Sequence, residues 1–409
     1  MKSKVKLKPF CKKIGSGVTP RGGDSVYIDY GVALIRSQNV YNGKFSEQGL
    51  AFINSDIAQK MKGVTVEKND VLLNITGDSV ARCCMAPERI LPARVNQHVS
   101  ILRTVEDGLD SKFLMYYLIS PYMQRRMLSF AGSGGTRKAL TKEMIENFDI
   151  PETDYTSQQK IARNLAAYDD LIEVNNSRIQ LLEESARLLF REWFVYFRFP
   201  GNQKIKIVDG VPEGWEKVPL PELIDFKEGP GLRNYQFRDD GIPFLNIRTF
   251  GDDEIDLSKV GYLGETEVYG KYQHFLLKEN DHVVSSSGTL GRLVTVRASH
   301  LPLMLNTSLI RMRPKGLMKV WVLKAYLLYG GFIEKASSLA IGAAQLNFGP
   351  AHLKKMAILF PKNIEIVDEF EKNIGPIYLT KKILLDQNQK LTQARDLLLP
   401  RLMSGKIEV

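Results

Sequence analysis

SQQKIARNLAAYDDLIEVNNSRIQLLEESARLLFREWFVYFRF, residues 157–199, is the stretch on which the reading of this chain turns. Its seam positions are Ile161, Leu165, Tyr168, Ile172, Asn175, Ile179, Leu182, Ala186, Leu189 and Trp193, spaced 4-3-4-3. That spacing is the heptad seam of a coiled coil, not the broader apolar face of a surface helix. The single polar member, Asn175, is of the kind that fixes register at a cost in stability. The same ladder returns about 209 residues later: Phe370, Ile374, Ile377, Lys381, Leu384, Asn388, Leu391, Arg395, Leu398 and Leu402. Two matching seams in one chain can pack against each other, and this pairing is the expected axis of the molecule.

At 409 residues the chain is too long for one ordinary core. A composition of 44% hydrophobic and 25% charged residues is that of a folded globular protein. No run of about 18 apolar residues suggests a membrane span, and the basic start MKSKVKLKPF lacks the apolar core of a secretory signal. Three cysteines, Cys11 and the vicinal Cys83 and Cys84, point to reduced thiols in a cytoplasm rather than to a disulfide framework. The formal net charge is +10. Residues 157–199 hold six basic and six acidic side chains and residues 363–409 seven of each, so both helical stretches are neutral. Residues 1–156 carry +6 and residues 200–362 the remaining +4, the footprint of a polyanion binder concentrated on two globular parts.

Residues 1–156 read as a strand-rich domain. Val32–Ile35, Val71–Ile75 and Val99–Leu102 are apolar β-type runs between Gly, Asn and Asp turns. A helix is expected from a Ser111 N-cap to about Phe130, with Pro121 kinking or splitting it. A glycine-rich loop over 131–138 and a short helix from Thr141, with Met144 and Ile145 inward, precede a last strand over 147–150. Each long helical stretch is expected to break once, at Asp169-Asp170 in the first and at Gly375-Pro376 in the second. Residues 200–214, rich in Gly and Pro, read as a linker. From Trp215 the first domain repeats: Gly31 matches Gly241, Asp70 matches Asp281, Gly77 matches Gly288, Asn96 matches Asn306, Arg103 matches Arg313 and Pro151 matches Pro361. The segments are therefore a first domain over 1–156, a helix over 157–199, a linker over 200–214, a second domain over 215–362 and a helix over 363–409.

A duplicated "domain then helix" whose helices run antiparallel is pseudo-twofold. Two basic domains at the ends of helices roughly 40 Å long suit about one turn of duplex DNA, each reading a short sequence on either side of an unread spacer. Two ligand-binding domains on a stalk, with no nucleic acid, is the competing architecture. Salt-dependent duplex binding separates the two.

The residues resemble the specificity subunits of type I restriction–modification systems. LTQARDLLLPRLMSGKI (391–407) is similar to their C-terminal segment, and SQQKIA (157–162) through LEESARLLFREWF (182–194) to their central helical region. PEGW (212–215), which opens the second half, fits as well. The resemblance spans the whole chain. It implies an α+β protein of two tandem target-recognition domains and a pair of long antiparallel coiled-coil helices. It also implies a non-catalytic DNA-binding subunit in defence against foreign DNA, reading a bipartite asymmetric target. Its partners would be double-stranded DNA, two adenine-N6 methyltransferase subunits and, in a full complex, two restriction–translocase subunits. S-adenosylmethionine, ATP and magnesium would belong to those partners. A related recognition subunit serving a different effector stays open.

The chain carries no signature of its own chemistry. It has no Pro-Pro dipeptide, so the Asp/Asn-Pro-Pro-aromatic motif is missing, and no G-x-x-x-x-G-K-S/T loop. The five histidines are scattered, and His98 of the first copy meets Ser308 in the second. Base reading is therefore sought in matched loops whose residues differ between copies. Three pairs qualify: Arg36-Ser37-Gln38-Asn39 against Asn246-Ile247-Arg248-Thr249; Thr76-Gly77-Asp78-Ser79 against Ser286-Ser287-Gly288-Thr289; and Ser133 to Lys138, with Thr136 and Arg137, against Gly342 to Asn347, with Gln345. Arg suits guanine and Asn or Gln suits adenine in the major groove, while Lys138 could neutralise a phosphate. Residues alike in both copies read as scaffold. Trp193, Phe194 and Leu399, beside the seam, are candidates for methyltransferase docking, with burial at the linker junction as the alternative for Trp193 and Phe194.

Overall fold

The computed structural model describes residues 3–132, 138–251, 253–339 and 347–407. It divides into two compact units, residues 1–173 with 389–409, and residues 174–388.

In the first unit, strands Cys11–Ser16, Val99–Thr104, Val71–Asn74 and Cys83–Met85 form an antiparallel sheet in that order. A second sheet runs Ala51–Ile53, Val32–Ile35, Ala93–Val95, Thr65–Val66, with Val32–Ile35 and Ala93–Val95 parallel. Strand side chains alternate between faces, and here both faces are covered. Leu72, Cys84 and Ile101 pack towards the second sheet with Ile35 and Val95. Their neighbours Val71, Leu73, Cys83 and Leu102 pack on Phe113, Leu114 and Tyr117. A central strand must then be apolar throughout, which is why Val71-Leu72-Leu73 has no polar alternation.

The second unit repeats the plan. Strands Ile224–Glu228, Leu309–Pro314, His282–Ser285 and Leu293–Thr295 form the equivalent sheet in the same order. Val283 and Val284 again face opposite cores. The parallel pairing of the first unit survives as a single bridge, Phe244 to Met304. The shared acidic and basic residues do the same work in both copies. Arg103 grips the buried Asp70 with two hydrogen bonds, 2.8 and 2.9 Å long. Arg313 grips Asp281 at 2.5 and 2.7 Å. Each carboxylate also accepts from a backbone N–H three residues earlier, of Glu67 and of Lys278, at 2.7 Å. The turns pass through Asn69 and Asn280, both at φ 66°, a conformation Asn tolerates well.

The helix after Val99–Thr104 is split as Pro121 requires, into Ser111–Ile119 and Pro121–Gly132. Its cap is Asp110, not Ser111: the carboxylate accepts from Phe113 N at 2.8 Å. In the second unit Gly330-Gly331 breaks the corresponding helix, leaving Val320–Tyr329 and Phe332–Ser338. Residues 200–214 are not wholly irregular, since Ile207–Val208 pairs with Val211–Pro212.

The long helices run Tyr155–Phe190, followed by a π-turn over Arg191–Val195, and Ile364–Met403. Neither breaks where the sequence suggested. Asp169 caps nothing; its carboxylate accepts from Tyr116 Oη and from Arg395 Nη1, both at 2.5 Å. Gly375 lies where a Cβ would stand 3.2 Å from Trp321 Cδ1, and Pro376 sits inside the helix. In the first unit Ile161, Leu165 and Ala166 share a core with Leu399, Leu402 and Met403. In the second, Asn175 meets Asn388 and Glu183 meets Lys381, so one helix ascends as the other descends. The pairing is antiparallel in each unit. Seam residues Ile172, Leu182, Leu189, Leu391 and Leu398 are half-buried, and Ile179 and Leu384 buried.

Of the three residues expected beside the seam for docking, Trp193 and Phe194 take the alternative, packing at the linker junction, and Leu399 is buried. Trp193 is buried, its ring 5.3 Å from Phe370. Phe194 lies 4.9 Å from Phe370 and 5.6 Å from Trp215. Leu399 belongs to the core of the first unit. Aromatic packing where Arg191–Val195 meets the second domain outweighs the exposure that their seam-edge positions implied.

Candidate nucleic-acid interface

At one edge of each unit the ends of several strands are stitched together by main-chain hydrogen bonds. In the first unit Val18 N donates to Val95 O (3.2 Å), Ile75 N to His98 O (3.0 Å), Leu140 N to Ile75 O (2.8 Å) and Gly77 N to Lys138 O (3.1 Å). In the second, Thr307 N donates to Pro230 O (3.1 Å), Ser286 N to Ser308 O (2.9 Å) and Phe348 N to Ser286 O (3.1 Å). Asn74 Nδ2 ties the 36–39 loop into this edge through Ser37 O at 2.8 Å. In the first unit the 36–39 and 76–79 loops and Lys138 of the third therefore meet at one edge, and in the second Ser286 meets Phe348, next to Asn347 of the third.

Two further segments of that edge, 17–31 with 95–98 and their repeats 229–241 with 305–308, escaped the sequence reading. Gly17 and Gly229 carry the local signal at the start of these segments, as the Gly31–Gly241 match does at their end. A Cβ on Gly17 or Gly229 would lie 1.8 or 2.0 Å from a carbonyl oxygen, of Val95 or Asn306, so neither tolerates a side chain.

Within the loops, exposure sorts the candidates. Arg36-Ser37-Gln38-Asn39 and Asn246-Ile247-Arg248-Thr249 make the same turn, with the third residue exposed and the fourth buried. Asn39, proposed for base reading, instead accepts from Arg36 N (3.0 Å) and donates to Ser46 O (2.9 Å). Thr249 donates to Asn246 O at 2.7 Å, and Ser286 is buried. Asn39 and Thr249 hold their loops through their side chains, because a polar side chain inside a tight turn satisfies the backbone there first, and Ser286 is held through its main chain. Asn246 is half-buried, accepting from Arg248 N (2.9 Å) and donating to Lys259 O (3.2 Å). Arg36 is half-buried too, with Nη2 on Gly49 O (2.7 Å) and its guanidinium 5.2 Å from the Tyr27 ring centroid.

Gln38, Asp78 and Lys138 in the first unit, and Arg248, Thr289 and Asn347 in the second, are exposed. Thr76 contacts His98 Nδ1 at 2.6 Å, and Ser79 is half-buried. Gly77 and Gly288, at φ 74° and 70°, set the correspondence of the second pair, which matches Asp78 with Thr289. Thr136, Arg137 and Gln345 lie outside the described residues. Among the described residues no group of three or more His, Cys, Asp and Glu side chains converges as a metal ion would need, and no helix is long and apolar enough to cross a membrane.

The model of the type I restriction modification DNA specificity domain matches residues 2–184 and again 212–385. The HindI type I restriction enzyme specificity subunit of Haemophilus influenzae is 24% identical, over 92% of this chain and 94% of that protein. The MjaVIII specificity subunit of Methanocaldococcus jannaschii is 25% identical over 65% of this chain, and the match spans 62% of that relative's length. The crystal structure of the type I restriction–modification S subunit from M. genitalium shares the fold, with a TM-score of 0.62 at 16% identity over 98% of this chain and 95% of that one. With both halves matched by the same domain, the chain belongs to the type I restriction modification DNA specificity family.

Proposed function

We propose that the chain is the non-catalytic DNA-reading subunit of a type I restriction–modification complex, each unit reading one half of a split target. The observation that carries this is the repeated scaffold: the 36–39 turn recurs at 246–249 and the Gly77 turn at Gly288, with Gln38 exchanged for Arg248 and Asp78 for Thr289 at exposed positions. A scaffold kept constant under changing donors and acceptors is what two different half-sites require, since base edges are told apart by their hydrogen-bonding pattern. The net charge of +10 supplies the sequence-independent attraction to phosphates.

The helix pair serves as spacer and as the docking surface for methyltransferase subunits. In the second unit Val174, Leu181, Leu188 and Val195 are exposed and recur every seven residues, the period at which a partner helix packs. Methylation and cleavage, with S-adenosylmethionine, ATP and magnesium, reside in those methyltransferase subunits and in restriction–translocase subunits. The complex works in the cytoplasm, where Cys11, Cys83 and Cys84 stay thiols. Mapping N6-methyladenine in the source genome tests the reading. The expected result is a split motif with an unread gap of roughly 5–8 base pairs. Loss of that motif on deleting this chain supports the function, and an unchanged methylome overturns it.

A further inference from the structure

Among the described residues, the two most exposed large apolar side chains are Tyr30, at 83%, and Tyr235, at 81%; Leu181 follows at 69%. Both tyrosines occupy the same connection of the repeat. In the first unit it leaves Cys11–Ser16 and returns as Val32–Ile35; in the second it leaves Ile224–Glu228 and returns as Ile242–Phe244. Its roots are fixed by close backbone approach. It departs at Gly17 or Gly229, each pressed on a neighbouring carbonyl, and re-enters at Gly31 (φ 151°) or Gly241 (φ 120°). A Cβ at these last two would stand 2.5 Å from Ile53 O or 2.3 Å from Leu263 O.

Between its roots the second connection is braced from within. Gln236 is buried, accepts from Arg233 N at 2.8 Å and donates to Glu267 Oε1 at 2.5 Å and Tyr272 Oη at 3.2 Å. Arg238 Nη1 donates to the carbonyls of Tyr235 and Phe237, both at 2.9 Å. Tyr235 is thus exposed on a braced turn, with exposed arginines two residues before it and three after, Arg233 and Arg238. In the first unit the Tyr27 ring under Arg36, and the bond from Ile28 N to Phe52 O (3.0 Å), fix the segment that leads to Tyr30.

A tyrosine offers a flat apolar face and a polar tip while losing little rotamer freedom on binding. Flanking arginines suit phosphates, and an aromatic face suits an exposed base or sugar edge. We propose that this connection is a DNA-contacting arm in each unit. Tyr30 and Tyr235 pack against their own half-sites, and Arg233 and Arg238 bind flanking phosphates in the second. The proposal rests on the DNA-reading function above. It goes further by assigning contacts to a loop whose polar residues did not mark it.

The test uses the full chain co-purified with its methyltransferase partner and duplexes carrying the mapped motif, read by fluorescence anisotropy across a salt series. Y30A and Y235A are each expected to lower affinity roughly tenfold, while Y30F and Y235F retain it. Each penalty should vanish when one half-site is scrambled and persist when the other is, with opposite assignments for the two tyrosines. R233A/R238A should reduce the slope of log affinity against log salt by about two. Tyr30 and Tyr235 are exposed, so melting curves of the Tyr variants should match the parent; R233A alone, which leaves the Arg238 brace in place, should lower the slope by about one. Alanine variants that bind the motif like a parent that itself binds would overturn the arm and leave the DNA reading standing. Loss of the methyltransferase from the Tyr variants, with unchanged duplex contact, would overturn it in favour of a protein-docking loop. A parent complex without salt-dependent duplex binding would remove the DNA reading itself and the arm with it.

Discussion

Asn175 donates its side-chain N–H to Oδ1 of Asn388 at 2.9 Å, and Asn388 in turn donates to Asn176 Oδ1 at 2.9 Å. Asn175 is 1% exposed, so its amide depends on this partner. Asn388 is half-buried and keeps its bond to Asn176, so it is the loss of Asn388 that strands a buried amide, that of Asn175, at a cost of about 1–3 kcal/mol. N388L should therefore lower the melting temperature. N175L/N388L should recover or exceed the parent, because two apolar residues pack the seam without an orphaned amide, while the pairing register loosens. A double mutant no more stable than the single one would show that the pair does not set the seam.

The bidentate grip of Arg103 on Asp70, repeated by Arg313 on Asp281, makes a matched prediction for the two copies. Removing the cation leaves a buried carboxylate without its charge partner, which costs about 3 kcal/mol. R103M and R313M should each destabilise the chain by that order in denaturant melts, and neither should alter the methylated motif. A changed motif would move these arginines from scaffold to base reading.

The seams were legible because a 4-3 spacing depends only on local periodicity, and the repeat because Asp70, Gly77 and Arg103 recur as Asp281, Gly288 and Arg313. Helix continuity at Asp169 was not legible. The capping tendency of an Asp is local, whereas its hydrogen bonds to Tyr116 and Arg395 come from residues 53 and 226 positions away. In the loops, residue type alone could not separate Gln38 from Asn39. Both are amides of similar chemistry, and only the turn decides which one faces inward. The arm carrying Tyr235 was missed for a related reason, since exposure of an aromatic residue is a property of the folded edge and leaves no mark in composition.

His282 stands where the first unit has Val71, and it brings a pH dependence that the first unit lacks at that place. Its Nε2–H donates to Val320 O at 2.9 Å and its Nδ1 accepts from Thr295 Oγ1 at 3.2 Å. Burial, reinforced by the Lys324 charge, pulls its pKa down to about 4. Between that value and the ordinary 6.5 the unfolded chain binds a proton the folded chain refuses. This contribution to stability is therefore complete above pH 6.5 and is lost as the pH falls towards 4, by about 3 kcal/mol. H282V should flatten that part of the stability profile. An unchanged slope in urea melts from pH 7 to pH 4 would show that His282 is not its source.

A heptad added to both long helices keeps the seam in phase, because seven residues bring the apolar stripe back to the same face. The spacer role proposed for the helix pair then predicts a methylated motif with both half-sites intact and a different gap. Methylome mapping of a strain carrying the lengthened chain reads both at once, and altered bases within a half-site would count against the spacer.

Gln38 and Asn39, with Arg248 and Thr249, allow recognition and stability to be separated one residue apart. Gln38 and Arg248 are exposed; Asn39 and Thr249 are buried and bonded within their own turns. If the third position of the turn faces bases, Q38A and R248A should each relax the motif at one position of one half-site, a loss of about 1–3 kcal/mol of discrimination. They should leave the melting temperature near the parent value. T249V and N39A should do the reverse, lowering stability by about 1–2 kcal/mol while the motif stays the same. The two readouts, methylome and melt, are independent. Relaxed specificity in N39A or T249V at full stability would therefore show that bases are read from the inside of the turn, and the exposed third position would lose its role.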